Sequence, residues 1–218
     1  MNHTGRRRLI HRRGAIFGAT LQPSADRSDA GARSALVRIS LTFGWPRPLP
    51  DWTGLGIRLF ADGTGANPAD LSEPSAPSAA TEAPGPDGQP LDLLLASAAT
   101  APDLWCRLEA HRDVLGCSFT SAVRHRIDGR DQVVVAVPAE PCPTTLDELL
   151  AGRVPGPIRY RLDVTEHRGS WQTLGELVLT EQHDDDRVLR LAPPSIGPRW
   201  FTTTRRVAYR LAQGPAAR

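Results

Sequence analysis

Residues 35–43, ALVRISLTF, constrain the fold more than any other stretch of the chain. They alternate with a period of two, so Val37, Ile39, Leu41 and Phe43 share one face of an extended strand and Leu36, Arg38, Ser40 and Thr42 share the other. The first face must be buried. The second is only partly polar, which implies a strand with two kinds of neighbour, one a packed core and one something polar or charged.

The same pattern recurs along the chain. Residues 14–22 (GAIFGATLQ), 55–60, 91–97 (LDLLLAS), 132–138 (QVVVAVP), 157–165 (PIRYRLDVT), 174–180 (LGELVLT) and 186–192 (DRVLRLA) read as short strands separated by turn-rich pieces. About eight short strands with few helices indicate an antiparallel barrel or sandwich, and the unpaired edges of a long antiparallel sheet favour closure into a barrel. Helix is predicted over 102–115 (PDLWCRLEAHRDVL), which opens with a proline, over the short TLDELLAG stretch, and over 201–213 (FTTTRRVAYRLAQ) behind a threonine cap. Residues 63–90 are mostly Pro, Ala, Ser and Gly with few large apolar groups, and read as a disordered loop inserted between strands. The expected fold is thus mainly β (α+β), one domain over residues 1–218, with few helices and a C-terminal helix.

Composition narrows the chemistry. At 218 residues, with 40% hydrophobic and 23% charged content, the chain suffices for one globular core. A net charge of +2 does not point to nucleic acid. All 26 basic residues are arginine, which removes Schiff-base chemistry and a phosphate-binding lysine. Cys106, Cys117 and Cys142 form no CxxC pair, so reduced thiols are the simplest reading. Arg6, Arg7 and Arg8 look like the start of a signal peptide, but Leu9 and Ile10 run straight into His11, Arg12 and Arg13, leaving no apolar core for one. No stretch reaches transmembrane length. These features predict a soluble, cytoplasmic protein.

The segment RLIHRRGAIFGATL resembles the catalase motif in which an arginine stands three residues before the distal histidine, ahead of a Gly-spaced strand. Arg8 and His11 fall at those positions, with Gly14 and Gly18 behind them. LVRISLTF resembles the VRFS strand of that superfamily and aligns Arg38 and Ser40 with it. DWTGLGIRLF is similar to the segment that follows, through Asp51, Gly54 and Phe60. LGELVLTEQHDDDRVLRLAPPSIGPRW is similar to the region around the GRLVLN strand and FSPS turn, and RRVAY resembles RLFAY, the motif that supplies the haem's tyrosine ligand. Each piece alone is common, but their shared order spans most of the chain.

The resemblance implies a catalase-like eight-stranded barrel with haem b, acting on hydrogen peroxide or organic hydroperoxides. Tyr209 would ligate the iron as phenolate, although a free phenol has a pKa of about 10. Arg205, four residues earlier on the same helical face, would stabilise that anion. His11 would move a proton between the peroxide oxygens, Ser40 would accept from its far nitrogen, and Arg8 and Arg38 would pair with the haem carboxylates.

The chain also departs from the pattern. Ser97 falls near the position of the distal asparagine, which makes peroxidase chemistry comparable with dismutation. RLAQGPAAR replaces the Pro-Asp-Thr-His run after the tyrosine. No counterpart of the family's wrapping segment or C-terminal helical domain is found, so a monomer or small homo-oligomer is expected rather than the interlocked tetramer.

Plainer readings stand beside these. His11 fits a solvated basic tail, Tyr209 an ordinary core helix with Arg205 reaching solvent, and Arg38 a cross-strand ion pair. The run His183-Asp184-Asp185-Asp186 reads as a charged turn rather than a metal site, and the five tryptophans as core or pocket wall. The competing function is a haem-free barrel of the same fold that binds a small molecule or a protein partner.

Overall fold

The computed structural model describes residues 13–45, 49–60, 90–98, 107–121, 124–127, 129–140, 142–154, 156–166, 171–183 and 191. Their strands are β1 (Gly14–Pro23), β2 (Arg33–Leu41), β3 (Thr53–Leu59), β4 (Leu91–Ser97), β5 (Phe119–Ser121), β6 (His125–Ile127), β7 (Arg130–Pro138), β8 (Arg159–Thr165) and β9 (Gln172–His183). Every pairing is antiparallel. The ladder runs β5-β4-β3-β2-β1-β9-β8-β7, and β5 pairs with β7 to close it into an eight-stranded barrel. β6 joins β7 further along, in register His125 with Gln132. Gly129, at φ +73°, makes the turn between them, a backbone conformation that side chains with a Cβ rarely adopt.

Alternation sorts the side chains. Odd positions of β1 to β4 point inward, among them Phe17, Val37, Ile39, Leu55, Ile57 and Leu93, and meet Val134, Leu162 and Leu177 from the far wall. Burying each such side chain contributes about 1.5–3 kcal/mol. Tyr160 lies within this core, its ring edge-on to Phe119 at 5.8 Å and its hydroxyl donating to the Leu115 carbonyl at 2.9 Å. The β1–β9 seam is drawn tight at Gly175, where a Cβ would collide with the Gln22 backbone.

The helix α1 (Leu146–Leu150) starts at a capping box. Glu148 N donates to Thr145 Oγ1 at 3.3 Å, and Thr145 N donates to the Glu148 carboxylate at 2.9 Å. Its Leu146 and Leu149 are buried in the barrel core.

Two expectations are corrected. Residues 107–115 form an irregular strap rather than a helix: Leu108 bridges to Ala98 and His111 to Asp51. Asp113 explains the break, since its Oδ1 accepts from Leu115 N, Gly116 N and Thr144 N and holds a turn that competes with helical hydrogen bonding. Leu191, from the predicted strand 186–192, is not in a strand, and β5 supplies the eighth barrel strand instead. Residues 184–190, 102–106, most of 63–90 and all of 201–213 lie outside the described residues.

Candidate functional site

With odd positions inward, the even positions of β1 to β4 form an outer wall of three rows. The register gives Gly14–Ser40–Gly54–Ala96, then Ile16–Arg38–Gly56–Leu94, then Gly18–Leu36–Arg58–Asp92. This wall is not a solvent face. Arg38 is 9% exposed and Ser40 3%, and every residue of β3 is buried on both sides.

The first row raises nothing larger than serine. Across four strands it is roughly 14 Å long, from the usual strand spacing. One pleat beyond it, Thr42 N donates to Trp52 O at 2.8 Å and continues the same register, so Trp52 follows Gly54 on the outer face. Gly14 is required by a close approach within the wall: a Cβ there would meet Ile39 O at 2.5 Å, Ser40 Cβ at 2.8 Å and the Arg38 guanidinium carbon at 3.1 Å.

Upper parts of the wall are closed by the chain itself. A Cβ on Gly56 would collide with the Leu191 side chain, and Ile16, Leu36, Phe60 and Leu191 form a second apolar cluster. In the third row Arg58 and Asp92 make a two-pronged ion pair with both side chains buried.

Arg38 and Ser40 are therefore brought together, two positions apart on one buried face of β2. Ser97 is not with them, which corrects the expectation that it lines the same site. It continues the inward set Leu91, Leu93 and Leu95, is fully buried, accepts from Thr53 N at 2.9 Å and donates to Glu109 O at 2.7 Å. The outward neighbour of Ser40 on β4 is reached through Gly54 and is Ala96. Arg8, His11, Arg205 and Tyr209 lie outside the described residues.

Sequence reasoning missed three groups that the fold singles out. Arg58 and Asp92 were signalled by a single charge within each apolar run, GLGIRLF and LDLLLAS. His125 is buried with no hydrogen-bond partner on either ring nitrogen, and burial pulls its pKa down from 6.5 to about 4, so it is neutral near pH 7. Burial likewise pushes Cys117 up to about 12 and Tyr160 well above the ordinary phenol range. Tyr160 thus keeps its proton near pH 7. Cys117 and Cys142 are free thiols. Among the described residues no group of three His, Cys, Asp or Glu is placed to hold a metal ion, and no helix is long and apolar enough to cross a membrane.

No model of a known protein family, no curated protein and no solved structure matches this chain.

Proposed function

We propose that the outer wall of β1 to β4 carries a haem and that the protein reduces hydroperoxides. The observation that carries the reading is the position of Arg38 and Ser40: both stand on one buried outer face, Ser40 within a row of small residues and Arg38 next to it. A buried guanidinium suits the carboxylates at the edge of such a group. The order of catalase-like segments in the sequence, from His11 to Tyr209, supports the same reading.

Under this reading Arg38 and Arg8 hold the cofactor's carboxylates. Tyr209 would ligate the iron, and Arg205, at i, i+4 spacing, would favour its ionised form. Ser40 accepts from the far nitrogen of His11 and fixes its tautomer, leaving the near nitrogen to carry a proton from one peroxide oxygen to the other. When bound, the haem would supply the redox chemistry that peroxide reduction needs. The overall reaction is ROOH + AH2 → ROH + A + H2O, with a phenol-type donor of two hydrogens as AH2. With hydrogen peroxide as both partners it becomes 2 H2O2 → 2 H2O + O2. Ser97 has no part in it, because its hydroxyl is committed to Thr53 and Glu109.

Leu191, seated over Gly56, favours a second reading: a haem-free barrel whose wall is covered by its own chain and which binds a small molecule or a partner protein. One experiment separates the two. Full-length protein supplied with haemin is expected to develop a Soret band that Tyr209→Phe abolishes or displaces. A wild-type protein that stays colourless overturns the haem reading.

A further inference from the structure

Resting on the haem reading, we propose that Phe43, Trp45 and Trp52 form the substrate-side rim of this site, and that the substrate is an organic hydroperoxide with an apolar body. Their place in the fold is the first argument. Trp52 follows Gly54 on the outer face, so the aromatic group begins one pleat along the strands from the row of small residues. Phe43 stacks on Trp45 at 5.1 Å and 12° and meets Trp52 edge-on at 5.6 Å.

The second argument is exposure with rigidity. Phe43 is 49% exposed, Trp45 46% and the neighbouring Leu49 55%. Yet residues 43–45 and 51–52 are held firmly. The buried Asp51 carboxylate accepts from the backbone N–H groups of Phe43, Gly44, Trp45 and Trp52, the shortest at 2.6 and 2.7 Å. The Asp51 backbone is locked in turn to His111 by hydrogen bonds of 2.9 and 2.8 Å. Rigid aromatic surface presented to solvent is a preorganised contact for an apolar ligand, with little entropy left to lose. Scattered single apolar residues need no such account, but a fixed cluster does.

The third argument is an unused donor. Trp52 Nε1 is shut off from solvent and has no hydrogen-bond partner. Buried N–H groups are nearly always paired, and an acceptor oxygen of a ligand that displaces the covering atoms would complete this one. The rings touch one another and leave no slot between them, so the group is a pad for one apolar body and not a cage around a cation. Hydrogen peroxide has no apolar body to use it.

The test uses the full chain, Trp45→Ala and Phe43→Ala, with cumene hydroperoxide and hydrogen peroxide as substrates. The ratio of their kcat/KM values should fall at least tenfold in each variant. Independently of turnover, 2-phenyl-2-propanol, the alcohol product, should quench tryptophan fluorescence saturably in the haemin-free protein, and Trp45→Ala should weaken that saturation at least tenfold. A haem-loaded protein whose ratio stays within twofold in Trp45→Ala overturns the rim alone, as does wild-type protein with no saturable quenching. A protein that takes up no haemin but is saturably quenched overturns the haem reading and leaves the rim in place.

Discussion

Arg58 and Asp92 face each other across β3 and β4, with Nε 2.7 Å from Oδ1 and Nη2 2.8 Å from Oδ2, each side chain 4% exposed. Two charges held that far from water stabilise the barrel only as a pair. Removing one leaves the other buried without this partner, at a cost of about 3–5 kcal/mol. Asp92→Ala is therefore expected to lower the urea-unfolding free energy by that order. The double change Arg58→Met with Asp92→Leu should recover most of it.

His125 makes stability depend on pH. Its pKa is about 4 in the folded barrel and 6.5 when unfolded, so between those values the unfolded chain binds more protons. Stability from this group is present in full above pH 6.5 and is lost as pH falls towards 4, by about 3 kcal/mol in all. Urea unfolding between pH 7.5 and 4 should show the loss, and His125→Leu should flatten that part of the profile. The same variant should be no less stable than wild type at pH 7.5, because it removes two ring nitrogens that have no partners.

Ser97 separates a structural role from a functional one. Ser97→Ala leaves the buried Thr53 N–H without its acceptor and should cost about 1–3 kcal/mol in thermal or urea unfolding. Haemin uptake by the folded variant should match wild type. A change in the Soret band with no change in stability would return Ser97 to the site.

How far the sequence could be read depended on alternation. β2 was legible because its two faces differ in kind: Val37 and Ile39 are fully buried inside, and the mixed face with Arg38 and Ser40 is buried as well. β4 was legible as a strand but not as a pair of faces, since LDLLLAS carries leucines on both sides, and so the side taken by Ser97 was hidden. β5 and β6 are three residues each and become strands only by pairing with β4 and β7, a tertiary cause that leaves no local pattern. The 102–115 stretch carried helical spacing, yet over its described part, 107–115, the Asp113 turn and the bridges to Asp51 and Ala98 prevailed over propensity. Of the candidate site, Arg38 and Ser40 were readable as neighbours from strand period alone. The Arg58–Asp92 pair required register, which no local pattern supplies.

The central claim is that the outer row Gly14–Ser40–Gly54–Ala96 is the floor on which the cofactor lies. Ala96 is only partly buried, so Ala96→Leu should fill that floor and leave the barrel intact. The decisive measurement is haemin titration followed at the Soret band, with wild type and Ala96→Leu side by side and the melting temperature of each recorded. The expected result is saturation at one haem per wild-type chain, and binding at least tenfold weaker in Ala96→Leu at an unchanged melting temperature. Equal uptake by the two proteins, or none by wild type, would contradict it.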